Sequence, residues 1–284
     1  MNGWHPASRF LDLEVGERSP MRAHVVDTGS AESAHAHAPV VLIHGIGVSS
    51  WAWRKNIDVL ARDFRVVAIC QKGHGWSGRG GGGYALPDLA KFVWRALDRL
   101  GIARASFVGN SLGGAVSLYT AIHDPARVAR LLLVNPAAHI EQRPWSLLRS
   151  QVAALAPVYR ALVGPTIFRV PLALLAYRGI PVDREYMAGF WAPFEAAGSM
   201  RALVAVARAL PQGIADLEDR LHEVTQPTLV VWGEEDQVLP VGGAYRLLRH
   251  IPTARLVLFP GVAHCPQEEA AERFNTLAQA FLKG

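Results

Sequence analysis

A serine flanked by glycines stands where a predicted strand turns directly into a predicted helix. The segment from Gly109 to Gly113 reads Gly-Asn-Ser-Leu-Gly, and it follows the apolar run Ala105–Asn110. Such an abrupt turn strains the serine backbone and brings the flanking positions so close together that only glycine fits there. The turn displays the Ser111 hydroxyl at a helix N-terminus, where the amides and the dipole favour developing negative charge. The pattern therefore predicts that Ser111 is a nucleophile.

Two later strand ends supply candidates for the acid and the base that such a serine needs. A serine hydroxyl is a weak nucleophile until a base removes its proton, and the expected chain order is serine, acid, histidine. The predicted strand Thr228–Trp232 leads into three acids, Glu234–Asp236, and the predicted strand Arg255–Phe259 leads to His264. Both segments belong at the carboxyl edge of a parallel sheet, where sites in such folds are built.

The spacing of apolar residues predicts the sheet that must bring these side chains together. Short runs rich in Val, Ile and Leu alternate with longer helical segments, which is typical of a mostly parallel sheet with helices on both faces. The predicted strands are Val40–His44, Arg65–Cys70, Ala105–Asn110, Val128–Asn135, Thr228–Trp232 and Arg255–Phe259, preceded by an antiparallel edge hairpin of Phe10–Val15 and Met21–Asp27. Helical spacing predicts helices at Pro87–Leu100 and Leu112–Ile122.

The alternation breaks between residues 138 and 222. This stretch is rich in Ala, Leu, Arg and Pro, and no run of comparable strand quality appears until Thr228. We expect residues 138–222 to form a helical cap inserted after the sixth strand, on a core domain made of residues 1–137 and 223–284. A lid over a site is the natural use of such an insertion. The alternative is a set of extra helices that only enlarge the core.

Aromatic side chains near the expected site are candidates for substrate contact. Trp191 belongs to the insertion, and Trp51 follows the loop after the third strand. Each side chain has two interpretations, because it can line a pocket or pack against the rest of the protein. Asn110, next to Ser111, is the third candidate. An apolar acyl or aromatic group is the substrate feature that these residues favour.

These segments resemble the α/β-hydrolase superfamily, and the resemblance runs nearly end to end outside the insertion. It implies the α/β-hydrolase fold, with a mostly parallel eight-stranded sheet and a helical cap, in a serine esterase-like branch. The segment His44–Gly47, His-Gly-Ile-Gly, resembles the family's loop after the third strand. That likeness implies an oxyanion hole formed by the backbone N–H groups of Ile46 and Leu112.

The same resemblance selects one acid from the three. Family spacing places the acid third after the glycine, which implies a catalytic triad of Ser111, Asp236 and His264. Some relatives carry the acid after the sixth strand instead, but that place holds Asn135 and Pro136 here. The implied mechanism needs no metal and no organic cofactor.

The resemblance implies a serine hydrolase that cleaves carboxylic esters of small to medium apolar acyl or aryl groups through an acyl-enzyme. The first alternative is a hydrolase of carbon–carbon bonds in ring-cleavage products. Those relatives commonly carry Trp immediately after the catalytic histidine, where this chain has Cys265. The second alternative is a binding protein on the same scaffold, with slow or absent turnover.

Composition and the remaining motifs argue against other function classes. The net charge is +5, but the basic residues are scattered, so we expect no nucleic-acid partner. No apolar stretch is long enough for a membrane span, and two distant cysteines make no disulfide framework, so we expect a cytoplasmic protein acting on a small-molecule ester. The sequence does not indicate the oligomeric state.

One glycine-rich segment matches a dinucleotide-binding pattern without its context. Gly73–Gly78 reads Gly-x-Gly-x-x-Gly after a predicted strand, but the chain then runs into Arg79 and four more glycines instead of a helix. We therefore expect no NAD site. The segment also resembles a turn of the α/β-hydrolase family, with Cys70 where an acid is common.

Overall fold

One mixed sheet forms the centre of the protein. The computed structural model describes residues 4–14, 21–29, 37–80, 82–139 and 175–284, and in these ranges the sheet has eight strands in the order β1-β2-β4-β3-β5-β6-β7-β8. The strands are β1 (Ser8–Leu13), β2 (Met21–Asp27), β3 (Val40–Ile43), β4 (Val66–Ile69), β5 (Ala105–Asn110), β6 (Val128–Val134), β7 (Thr228–Gly233) and β8 (Ala254–Phe259).

The pairing of the strands confirms the predicted mostly parallel sheet. β1 pairs antiparallel with β2, and β2 pairs antiparallel with β4, so the predicted hairpin lies at one edge. Every later pair, from β4–β3 to β7–β8, is parallel. The carboxyl ends of β3, β5, β6, β7 and β8 therefore meet at one rim of the sheet.

Helices cover both faces of this sheet, because the parallel strands are apolar on both sides. In β3, Val41 and Ile43 belong to one buried cluster, whereas Val40 and Leu42 belong to the cluster on the opposite face. The helices are α1 (Ile57–Leu60), α2 (Leu86–Arg99), α3 (Leu112–His123), α4 (Arg184–Trp191), α5 (Ser199–Glu218), α6 (Gly242–His250), α7 (Pro266–Glu269) and α8 (Ala271–Lys283). Residues of α2, α3, α5 and α6 share the first cluster, and residues of α1 and α8 share the second.

The described part of the insertion is helical. Residues 140–174 lie outside the described ranges, and with them Trp145 and Phe168, two aromatic residues of the predicted cap. Buried residues of α5, such as Val206 and Leu210, extend the first cluster of the core. Other side chains, including Tyr177, Tyr186 and Phe190, form a separate apolar cluster near the rim of the sheet. The division of the chain into a core and a cap at 138–222 stays a prediction.

None of the described helices combines the length and the apolar composition that crossing a bilayer requires.

Candidate active site

The turn between β5 and α3 has the backbone geometry that its glycines predict. Ser111 has a φ of 55° and a ψ of −118°, in a region that residues with a side chain rarely adopt. A Cβ at Gly109 would lie 2.3 Å from the carbonyl oxygen of Gly113, and a Cβ at Gly113 would lie 2.1 Å from that of Ile43. Only glycine fits at these two positions, so the turn places Ser111 directly before the first residue of α3.

The two backbone amides predicted to form an oxyanion hole belong to residues near Ser111. Leu112 opens α3, where the first amides of a helix have no partner within the helix. Ile46 lines the same cavity as Ser111. These are the two predicted oxyanion donors.

The His44 ring fixes the orientation of the Ile46 amide. The backbone N–H of Gln71 donates to His44 Nε2 at 3.0 Å, so the ring proton is on Nδ1, which donates to the Gly45 carbonyl at 2.7 Å. Because a trans peptide holds its C=O and N–H on opposite sides, the Ile46 N–H points away from the His44 ring. Burial lowers the pKa of His44 to about 3, so the ring stays neutral and keeps this arrangement.

The histidine and the acid from the two later strand ends are hydrogen bonded. His264 Nδ1 lies 2.7 Å from Asp236 Oδ2. A carboxylate only accepts hydrogen bonds, so Nδ1 carries the ring proton and Nε2 keeps a lone pair. The neighbouring acids Glu234 and Glu235 are exposed, whereas Asp236 is buried. Of the three acids, Asp236 is therefore the one placed to orient His264.

Asn135 holds the same carboxylate, a contact that sequence reasoning missed. Its Nδ2 donates to Asp236 Oδ2 at 2.5 Å, and its Oδ1 accepts from the backbone N–H of Gly233 at 3.3 Å. Asn135 follows β6 with a φ of 42°, a conformation that asparagine tolerates better than most residues. The one available signal was an asparagine directly after a buried strand, at the rim where Asp236 was expected.

A cavity of about 210 Å³ brings the predicted residues together. Ser111, His264, Ile46 and Asn110 all line it. The Asn110 Nδ2 donates to the carbonyl oxygens of Val134 and His264, both at 3.1 Å, so it ties the histidine loop to the serine turn. The other lining residues are Gly45, Val48, Ala52, Ala137, Leu175, Ala176, Tyr177, Leu210, Val238, Leu239, Cys265 and Glu268.

The two tryptophans predicted to bind substrate do not line the described part of the cavity, so their contact with a substrate stays a prediction. Neither Trp51 nor Trp191 is among the described residues that line the cavity. Trp51 packs between the Arg54 guanidinium, 3.6 Å from its ring centroid, and the Tyr186 ring. Trp191 stacks on Phe194 with ring centroids 5.3 Å apart. These contacts fit the packing interpretation of both side chains.

The turn after β4 is braced by neutral groups where the family commonly has an acid. The buried Cys70 thiol contacts Ser50 Oγ at 3.3 Å and His24 Nδ1 at 3.3 Å. Burial raises the pKa of the Cys70 thiol, which therefore stays protonated. The following segment, Gly73–Gly78, consists of turns and does not begin a helix.

In the described ranges, no group of three or more His, Cys, Asp or Glu side chains is placed to share a metal ion.

Comparisons with known proteins agree with this architecture. A family model described as the alpha/beta hydrolase fold matches residues 38–271. The 2-hydroxy-6-oxononadienedioate/2-hydroxy-6-oxononatrienedioate hydrolase of Burkholderia vietnamiensis is 30% identical, over 97% of this chain and 96% of its own. The solved structure of the meta-cleavage product hydrolase of Pseudomonas fluorescens is similar with a TM-score of 0.78 and 26% identity, covering 93% of this chain and 94% of that one. An enol-lactonase of Burkholderia xenovorans has a TM-score of 0.79 and 25% identity, covering 93% and 97% of the two chains. This chain belongs to the α/β-hydrolase fold family.

Proposed function

We propose that this hydrolase cleaves a carbon–carbon bond beside a ketone in a ring-cleavage product, with Ser111 as its nucleophile. The observation that carries the proposal is that Ser111 and His264 line one cavity, while Asp236 binds the other nitrogen of the His264 ring. Two relatives that match nearly the whole chain, a 2-hydroxy-6-oxononadienedioate hydrolase and a meta-cleavage product hydrolase, favour this reaction over the hydrolysis of a simple ester.

The first half of the proposed reaction forms a bond to Ser111. His264 Nε2 takes the hydroxyl proton as Ser111 Oγ attacks the ketone carbon. Asp236 keeps the Nδ1 proton in place and stabilises the imidazolium that forms. The amides of Ile46 and Leu112 bind the oxygen that becomes negative, a kind of contact that is worth about 3–4 kcal/mol per donor in comparable enzymes.

The second half breaks the carbon–carbon bond and restores the serine. The electron pair of that bond leaves with the conjugated fragment, whose carbon takes the proton held on His264. The acyl group stays on Ser111 until a water, deprotonated by His264, releases it as a carboxylic acid. The balance is one water added across the broken bond, so the reaction needs neither an oxidant nor a reductant.

Hydrolysis of 2-hydroxy-6-oxo-6-phenylhexa-2,4-dienoate tests the proposal. A relative from Comamonas testosteroni is named as the hydrolase of this compound. We expect the absorbance of the dienoate to fall with the wild-type protein, and S111A to lower kcat by about 1000-fold or more. The matched control is S106A, which removes another buried hydroxyl from β5, away from the cavity. A wild-type rate in S111A would refute the assignment of the nucleophile.

Hydrolysis of esters or enol-lactones is a second candidate function. Cys265 follows His264, where carbon–carbon bond hydrolases commonly have Trp, and one similar structure is an enol-lactonase. The two functions are separated by comparing kcat/KM for the dienoate with kcat/KM for p-nitrophenyl butyrate. We expect the dienoate to be preferred, and a clear preference for the ester would favour the second candidate.

A further inference from the structure

The cavity has a polar wall that the proposed reaction does not use. Besides Asn110, Ser111 and His264, its polar lining residues in the described ranges are Tyr177, Cys265 and Glu268. These three are almost fully buried, with Glu268 only 1% exposed. A buried carboxylate on a mostly apolar cavity is costly unless it has partners, so its contacts indicate what this wall can still bind.

The Glu268 carboxylate is bound by the guanidinium of Arg54 and by the hydroxyl of Tyr177. Arg54 Nη1 donates to Glu268 Oε2 in an ion pair, and the Tyr177 hydroxyl donates to Oε1 at 2.8 Å. The Arg54 guanidinium opposes the rise in the pKa of Glu268 that burial causes. With this pairing, Glu268 is the acceptor of both bonds.

Every hydroxyl proton of this network is already used. The Tyr177 and Tyr186 hydroxyl oxygens lie 2.5 Å apart. Because Tyr177 gives its single proton to Glu268, Tyr186 must donate to Tyr177. The remaining proton belongs to the Cys265 thiol, which is a weak donor and whose pKa burial raises well above its ordinary value.

Counting contacts with the described residues, the positions that remain open on this wall are therefore acceptors. An ionised carboxylate has about four lone-pair positions, and two of those on Glu268 are taken by Arg54 and Tyr177. A ligand that donates a hydrogen bond gains a charge-assisted partner here. A ligand carboxylate would meet another carboxylate, and no lysine or arginine lies among the described lining residues to offset it.

We propose that Glu268, oriented by Tyr177, forms a hydrogen-bond-accepting subsite that takes a hydroxyl or amino group of the substrate and excludes a carboxylate. This inference rests on the proposed function only in treating the cavity as the substrate site. For a ring-cleavage product, it places the carboxylate end away from Glu268 and a donor-bearing group against it.

Binding of three small aromatic ligands to the wild-type protein tests the subsite directly. Benzyl alcohol carries a donor, ethylbenzene replaces that hydroxyl with a methyl group, and benzoate carries the anion. We expect calorimetric titrations to give a Kd for benzyl alcohol at least 10-fold lower than that for benzoate, with ethylbenzene binding as an apolar reference. Equal affinities for benzyl alcohol and benzoate, or no binding of any ligand, would overturn the proposal.

Three variants separate the subsite from general effects on the cavity. E268Q removes the charge and adds a donor, so the preference for benzyl alcohol over benzoate should fall by at least 10-fold. The matched control is S106A, which removes a buried hydroxyl outside this network and outside the described lining and should leave the preference unchanged. Y177F frees Oε1 of Glu268 and should strengthen benzyl alcohol binding, so it supplies a second test if E268Q fails to fold. Unchanged preference in both E268Q and Y177F contradicts the inference.

None of these ligands is hydrolysed, so the binding results do not depend on Ser111 as a nucleophile. Failure of the dienoate and ester assays with the ligand pattern intact would refute the proposed function alone. Normal hydrolysis without the ligand pattern would refute the subsite alone.

Discussion

At the scale of single residues, the Asp236 carboxylate accepts hydrogen bonds on both of its oxygens. Its Oδ1 accepts from the backbone N–H groups of Val238 at 2.8 Å and Leu239 at 2.9 Å, while Oδ2 accepts from Asn135 and His264. With both oxygens held, the carboxylate cannot turn without breaking several bonds. The position of His264 therefore depends on the loop after β7 and on the residue after β6.

Substitution of Asp236 should abolish most of the activity, whereas substitution of the adjacent Glu235 should leave it unchanged. We expect D236N to lower kcat by about 100-fold to 10,000-fold, because the amide no longer selects the Nδ1-protonated ring. The control E235Q changes an exposed carboxylate one position earlier and should keep the wild-type rate. Steady-state kinetics on the dienoate measure both variants, and equal rates for the two would exclude Asp236 as the acid.

Asn135 is a positioning residue in this arrangement, and N135G tests that role. Glycine keeps the positive φ without strain but removes the amide that binds Asp236 Oδ2. We expect kcat to fall by about 10- to 100-fold, because a small displacement of the base lowers the reaction rate strongly. KM should change little. A fall in melting temperature with an unchanged kcat would mean that Asn135 is only structural.

At the scale of elements, the join between β5 and α3 leaves no space for a side chain. A Cβ at Gly113 would lie 2.1 Å from the Ile43 carbonyl oxygen and 2.8 Å from that of His44, both at the end of β3. The helix can start beside the neighbouring strand only because this position is glycine. The close approach of backbone to backbone is thus a condition for displaying Ser111.

We expect G113A to lower the free energy of unfolding by about 3 kcal/mol or more, or to prevent folding, because backbone atoms cannot move aside cheaply. The matched control is G242A, at the start of α6, where nothing lies within 4 Å of the added Cβ. That variant should be as stable as the wild type or up to about 1 kcal/mol more stable. Urea denaturation measures both, and similar losses in the two variants would contradict the steric argument.

At the scale of the whole molecule, buried neutral histidines make the fold sensitive to acid. Burial lowers the pKa of His24 to about 4, of His44 to about 3 and of His74 to about 4. In the unfolded chain these histidines have a pKa near 6.5. Between that pH and the lower pKa of the folded protein, the unfolded chain is protonated at these groups and the folded protein is not. Their contribution to stability is complete above that pH and is lost as the pH falls towards 4.

We expect the free energy of unfolding to be lower at pH 5 than at pH 7, by roughly 1–2 kcal/mol for each of these histidines. H24Q should reduce this difference by the contribution of one histidine, since the glutamine side chain does not titrate. H250Q, a change on the exposed end of α6, is the control and should behave like the wild type. Urea titrations at the two pH values measure the effect, and a pH-independent stability would contradict it.

Much of the fold follows from local sequence patterns. β5 has the bounds that its apolar run predicts, and α2 and α3 each begin or end within one residue of their predicted limits. The residues of the candidate site could be anticipated because each follows a recognisable strand at the same rim of a parallel sheet. The local sequence shows where each strand ends, and therefore which residues lie at the rim of the sheet.

Contacts between distant side chains could not be anticipated in the same way. Trp51 and Trp191 are aromatic residues near the site, but composition does not say whether such a ring faces a cavity or a neighbouring side chain. The Tyr177–Glu268 bond joins residues 91 positions apart, one inside the predicted insertion and one after it. Hydrogen bonds of that kind depend on how elements pack, which no local pattern contains.

The order of the strands has a consequence for the newly made protein. The proposed nucleophile follows β5, whereas its proposed acid and base follow β7 and β8, on the far side of the insertion. A ribosome-bound chain that stops before residue 264 would carry Ser111 without its base. Activity should therefore be absent until residue 264 has been synthesised and its loop has reached the rim of the sheet.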